Sequence, residues 1–217
     1  MTLVFSLSGG QLNTSPKGSL GGQRSDTTIT SDISQNFFDD ISRSEGLVGK
    51  TEYRQGYVYN PDVNTYTGVT LQLSTNPALS QVSLGLDPVG KGDGRNTGIA
   101  TSIATEDSTP TGVTFFGEDN TDDGPFAGQA YDTVILPIGL LRQGECVAFW
   151  LKRKTEQGAS QTITFNFTIT HDEVTLPGST FDDGGAFGEL LSVATQAAGT
   201  FLIGTARIGF AEIGPSP

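Results

Sequence analysis

The side chains that could carry chemistry are few. His171 is the only histidine and Cys146 the only cysteine in 217 residues. A hydrolytic triad needs a nucleophile, a base and an orienting group held together. His171 follows a strand-like run and sits in no nucleophile motif, so a surface or capping role is expected of it. Cys146 opens the apolar run CVAFWL, where a thiol behaves as a small hydrophobe. A reactive thiolate needs a positive, accessible setting. Zinc needs several Cys or His ligands, and the chain holds two such residues in total. No catalytic residue, cofactor or resident metal is therefore assigned.

Carboxylates are the remaining candidates. Adjacent pairs occur at Asp39-Asp40, Glu118-Asp119, Asp122-Asp123 and Asp182-Asp183. A glycosidase needs two carboxylates at a set separation, and nothing in these spacings selects such a pair. Clustered loop oxygens suit calcium better. Asp119, Asp122, Asp123, Asp182 and Asp183 are the calcium candidates, in two loops that share DDG followed by Phe and Gly. The EF-hand pattern fails, because the twelfth position from Asp119 is Ala130. Residues 90–98 (GKGDGRNTG) have the glycines and lysine of a phosphate loop. The order is wrong for GxxxxGK[ST], and no strand–loop–helix context follows. A plain flexible loop is expected there.

Composition narrows the partners. The formal net charge is -12, from 24 acidic and 12 basic residues. Such a surface repels phosphate backbones and anionic membrane, so neither nucleic acid nor membrane is an expected partner. The basic triplet Lys152-Arg153-Lys154 is accordingly read as the solvated end of a strand. A single cysteine allows no intrachain disulfide, which fits a reducing compartment. The N-terminal run has no basic leader and is too short for a signal peptide, so synthesis and folding in a cytosol are expected.

The elements that must position these residues read as strands. Side chains alternate faces along a strand, so apolar residues at every second position mark a half-buried one. In residues 51–74, Tyr53, Tyr57 and Tyr59 share one parity, with Arg54 and Gly56 on the other. Val69, Leu71 and Leu73 alternate after a turn rich in Pro, Asp, Asn and Gly. This reads as a long-looped β-hairpin whose tyrosines pack into the core. Val82, Leu84 and Leu86 form a further run, stopped by Asp87-Pro88. Pro137, between Leu136 and Ile138, implies an edge strand or a strand end. Residues 146–151 are apolar on both parities and should be covered on both sides. In residues 162–170 (TITFNFTIT), Ile163, Phe165, Phe167 and Ile169 face one way and polar residues the other. Phe37 and Phe38 should plug one end of the core.

The expected fold is all-β, an antiparallel β-sandwich or jelly-roll-like arrangement, with an extended N-terminal arm and a Gly-rich C-terminal extension. Residues 1–50 hold a first strand and the arm, 51–170 the sandwich core, and 171–217 the extension with a final strand. In the arm, residues 8–31, the isolated Leu12, Leu20 and Ile29 are candidate anchors on a neighbouring surface.

The residues LSGG…NTSP…SLGG, FFDDIS, TEYRQGYVYN, LQLS, VSLGLDP and GECVAFWLKRK resemble structural proteins of tailed bacteriophages, described as virion or tail-associated. The resemblance spans roughly residues 3–154; the chain beyond 171 departs from it. It implies a non-enzymatic particle component, a capsid decoration or cement protein or a tail or baseplate accessory. It also implies a homo-oligomer in a symmetric particle, with copies of itself and other virion proteins as partners, made in the host cytoplasm. Edge strands and an arm offer the contacts such assembly needs. The alternative is a carbohydrate-binding receptor-contact module, calcium-assisted, with Tyr53, Tyr57, Tyr59, Tyr66 and Tyr131 as aromatic platforms.

Overall fold

The computed structural model describes residues 3–29, 37–38, 42–74, 80–117, 133–155, 157 and 166–174. Among these described residues, seven strands form two antiparallel sheets. They are β1 (Val4–Leu7), β2 (Lys50–Tyr59), β3 (Thr65–Ser74), β4 (Ser80–Gly92), β5 (Thr133–Leu141), β6 (Cys146–Thr155) and β7 (Asn166–Val174). The larger sheet has the order β1-β2-β6-β4 and the smaller β5-β3-β7. Among the described residues the one α-helix is α1 (Arg43–Val48). The architecture is all-β and sandwich-like.

After β1 and β2, every successive strand lies in the other sheet. Strands β2 and β3 are therefore not a hairpin. Alternation gives each strand one buried face, but it does not say which neighbour supplies the hydrogen bonds. The turn between them is fixed by Asn60, whose Nδ2 donates to the carbonyls of Asn64 (2.8 Å) and Leu141 (3.1 Å). Its Oδ1 accepts from the Asp62 amide at 2.9 Å. Three bonds from one side-chain amide carry the chain across to the second sheet.

The main core lies between the sheets. Val58, Val147, Phe149, Leu151, Val82 and Leu84 face Tyr66, Leu71, Leu73, Val134, Leu136 and Ile169. Phe149 is its centre, 5.7 Å from the Phe5 ring and 5.8 Å from Phe37. Phe37 and Phe38 are both buried in it, as their apolarity implies. A Cβ on Gly56 would stand 2.8 Å from the Phe149 ring and 3.0 Å from that of Phe37, so glycine leaves room for both. β6 is buried at every position from Cys146 to Leu151, in agreement with its two apolar parities. Among the described residues β5 is an edge strand, one of the two placements Pro137 implies.

The tyrosines of β2 take the other face. Tyr57 clusters with Ala100, Cys146 and Ala148 on the outer side of the larger sheet. A coil spanning 94–117 covers that side. Tyr53 lies 5.6 Å from the Phe115 ring, and Tyr57 Oη donates to the Gly22 carbonyl at 2.6 Å and accepts from the Ala100 amide at 2.9 Å. Tyr53 and Tyr57 are buried and Tyr59 half-buried, but under a third layer of coil and not in the inter-sheet core. Asp87-Pro88 does not end its strand either. Pairing shifts from Leu86↔Phe149 to Lys91↔Val147, so the segment bulges and β4 resumes.

Residues 8–29 bond back to their own subunit. The Leu7 amide donates to Thr27, Ser25 to Leu7, and Ile29 to Phe5, which lines the outer edge of β1. Beyond the end of β1, the Gln55 and Tyr53 amides of β2 donate to the Ser19 and Glu106 carbonyls. Leu84 and Phe116 exchange both backbone bonds at the edge of β4. Both edges of the larger sheet are thus dressed by the chain itself, which blunts them for pairing with another chain. Over residues 8–29 the segment is a folded-back strap, in place of the extended arm that its composition suggests.

Candidate functional site

The densest group of ionisable side chains among the described residues lies at one end of the sandwich. On β2 the core-facing parity changes from Val58 and Gly56 to Arg54, Glu52 and Lys50. Arg153 follows Leu151 on the same face of β6, and Glu52 pairs with Arg153 across the strands. Helix α1 adds Glu45 and the outer coil adds Glu106. Ser42 caps α1 by a capping box: its Oγ accepts from the Glu45 amide at 3.3 Å, and its amide donates to Glu45 Oε2 at 2.7 Å.

Lys50 is the hub. Its Nζ lies 2.6 Å from Glu45 Oε1, 3.1 Å from Glu52 Oε1 and 2.5 Å from Glu106 Oε1. An ammonium has three hydrogens, so these contacts saturate it. Each carboxylate uses its second oxygen elsewhere. Glu45 accepts from the Ser42 amide, Glu52 from Arg153 Nε at 2.8 Å and from Arg153 Nη2, and Glu106 from Arg54 Nη2. Three cations meet three anions. Arg153 and Arg54 also approach the Phe38 ring, at 4.6 Å and 5.8 Å.

The protonation states follow from these contacts. The Lys50 hydrogen bond and the Ser42 amide hold Glu45 down at about 2. Burial pulls the Lys50 ammonium down, but hydrogen bonds to Glu106, Glu45 and Glu52 outweigh it and raise the pKa above the ordinary lysine value. Burial pushes Glu106 up, and its bonds to Lys50 and Arg54 turn the net shift downward. At neutral pH all three of these groups are charged.

Ligand oxygens of Glu45, Glu52 and Glu106 lie within 4.8 Å of one another, close enough to share a cation. Lys50 already supplies that cation. A divalent ion would have to displace an ammonium making three charge-assisted bonds, so the trio is a charge clamp between α1, β2 and the coil. Arg153, expected at a solvated strand end, is instead part of this clamp. Arg153 is buried, because its neighbours at 147, 149 and 151 face the core and the period of two carries it in with them. The available signal is the alternation Lys50, Glu52, Arg54 on one parity, with alternating signs.

Two smaller arrangements complete the chemistry. In the loop at 90–98, Asp93 Oδ1 accepts from the amides of Arg95 (2.9 Å), Asn96 (2.8 Å) and Thr97 (2.9 Å). Successive backbone N–H groups of this kind would otherwise hold an anion. The chain's own carboxylate occupies them, and these bonds hold Asp93 well below the ordinary carboxylate range. On the outer face, Trp150 Nε1 donates to Asp87 Oδ2 at 2.8 Å, which also accepts from the Thr101 amide at 3.2 Å. Cys146 is buried nearby, and burial pushes its thiol up to about 12. Arg24 stacks over the Tyr59 ring at 3.7 Å.

Asp119, Asp122, Asp123, Asp182 and Asp183 lie outside the described residues, as do Asp39, Asp40, Glu118 and Tyr131. Of the arm residues, Leu12 is 90 % exposed, Leu20 is half-buried and Ile29 belongs to the main core. They do not converge on one surface. His171 lies within β7, its ring 4.4 Å from that of Tyr66. The strand runs on to Val174, past the expected start of the C-terminal extension at 171.

No family model, curated protein or solved structure matches the chain.

Proposed function

We propose that the chain is a non-enzymatic structural component of a tailed-bacteriophage virion, a capsid decoration or cement protein or a tail or baseplate accessory. The observation that carries this reading is the resemblance over roughly residues 3–154, from LSGG to GECVAFWLKRK. The geometry supports it. The charged cluster is neutralised internally, the amide nest is filled by Asp93, and the thiol is buried and protonated. A jelly-roll-like sandwich is the finer fold that goes with this reading, supported by the repeated crossing between sheets.

The carbohydrate-binding alternative gains nothing from the described residues. Tyr53, Tyr57 and Tyr66 are buried, and Tyr59 is half-buried beneath Arg24. Stacking platforms must face solvent. Mass spectrometry of purified particles of the encoding phage tests the proposal: the chain is expected among the virion proteins, and its absence would remove the reading.

A further inference from the structure

We propose that residues 104–115 of the outer coil form a flap that Glu106 latches to β2, and that acid releases this flap while the two sheets stay packed, independently of any role in a virion. The flap starts after Ile103, whose amide donates to the Leu20 carbonyl of the strap, and ends before Phe116, which pairs with Leu84. Between these anchors the chain has no regular secondary structure, and Pro110 alone is buried. Among the described residues its one backbone bond to a strand runs from the Tyr53 amide to the Glu106 carbonyl, at 2.6 Å. A segment with so little buried apolar surface and so few backbone bonds opens at the low end of a protein's stability range. It lies on polar and aromatic groups of the larger sheet. Thr109 Oγ1 is 3.2 Å from the Tyr53 hydroxyl, and the Phe115 ring stands 5.6 Å from that of Tyr53. The Thr114 carbonyl sits over Gly85, where a Cβ would stand 2.5 Å from it. Gly85 shares a row with Trp150 and Gln55, both fully buried.

Among the described residues both ion pairs from the flap to the sandwich are made by Glu106. Its Oε1 meets Lys50 Nζ at 2.5 Å and its Oε2 accepts from Arg54 Nη2. The Glu106 side chain is 34 % exposed and that of Arg54 fully buried, so a proton reaches the latch from solvent while the sheet stays closed. A protonated Glu106 gives up both charge-assisted bonds. Burial pushes its carboxyl up, and the bonds to Lys50 and Arg54 turn the net shift downward. The latch therefore holds above the ordinary glutamate value near 4.5 and weakens as pH falls below it. The other described charges around it are Glu45 of α1 and Glu52 of β2, which share Lys50, and Asp107, which bonds to Thr105 within the flap itself. The Glu52–Arg153 pair, with side chains 2 % and 8 % exposed, joins β2 to β6 without the flap.

Hydrogen exchange at two amides of β2, measured in the full chain, tests the latch. Tyr53 donates to Glu106 of the flap, and Gln55 donates to Ser19 of the strap. In Glu106→Gln at neutral pH the Tyr53 amide should exchange roughly tenfold or more faster than in wild type, as the loss of bonds to charged groups implies. Gln55 should be unchanged, which also shows that the variant is folded. In wild type, the protection of Tyr53 relative to Gln55 should fall between about pH 6 and about pH 3.5, and in Glu106→Gln it should stay level. The wild-type acid series reads the latch even where the variant folds poorly. Equal acceleration of both amides means that the sheet opens as a whole and overturns the inference. So does a Tyr53 protection that the substitution leaves unchanged, or a wild-type ratio that acid does not move.

Discussion

Replacing Arg153 by leucine removes one half of the most buried ion pair among the described residues. Its partner Glu52 is 2 % exposed and would keep only Lys50, at 3.1 Å. Breaking a buried pair by deleting one partner costs about 3–5 kcal/mol, because the remaining charge is stranded out of water. The retained Lys50 contact places the expected loss near the lower end, about 3 kcal/mol. Urea unfolding of a chain this size has a slope of about 2 kcal/mol per M, so the midpoint should fall by roughly 1.5 M. Trp150 is the only tryptophan, and it is buried against Asp87, which makes its emission a direct reporter. The double variant Arg153→Leu/Glu52→Leu removes one charge of each sign and leaves Lys50 bonded to Glu45 and Glu106. It should be more stable than Arg153→Leu alone. An unchanged midpoint in the single variant, or a double variant less stable than the single, would refute the clamp as described.

The same cluster sets the pH response. Glu45 and Glu106 have folded values below their unfolded ones, so their contribution is present above about 4.5 and is lost as pH falls below it, for Glu45 toward about 2. Lys50 is shifted the other way, so its contribution holds below its unfolded value near 10.5 and fades only above that. Urea midpoints should be flat from about 4.5 to about 9, where Cys146 begins to ionise in the unfolded chain, and drop on the acid side; a fall beginning near pH 7 would contradict the assignment. Cys146, pushed up to about 12 and buried, should resist a thiol-specific reagent at pH 8 until urea unfolds the chain. Fast labelling of the native protein would show the outer coil to be open. Gly56→Ala should lower stability by about 1–3 kcal/mol through overpacking against Phe149 and Phe37, read in the same denaturation assay.

Much of the sandwich is legible in the sequence because single strands announce themselves. The two apolar parities of CVAFWL mark the central, doubly covered β6, and Pro137 marks an edge. What escapes is non-local. The alternation in residues 51–74 is real, but only the bonds of Asn60 across to Leu141 send β3 to the second sheet. The parity of the β2 tyrosines shows that they are buried and not on which face, since a coil with no periodic signal covers them. The strap at 8–29 has the composition of an extended arm, and its ties to Phe5, Leu7 and Gly94 are backbone bonds that leave no side-chain trace. The charge clamp draws on residues 45 to 153. Only the fold makes Glu106 a neighbour of Lys50.

The chain is proposed to be built into a particle. Quantitative mass spectrometry of purified virions, with copy number scaled to the major capsid protein, tests it most directly. A fixed stoichiometry of many copies per particle, unchanged through repeated purification, is expected. Absence, or trace amounts that decline with each purification step, would contradict it.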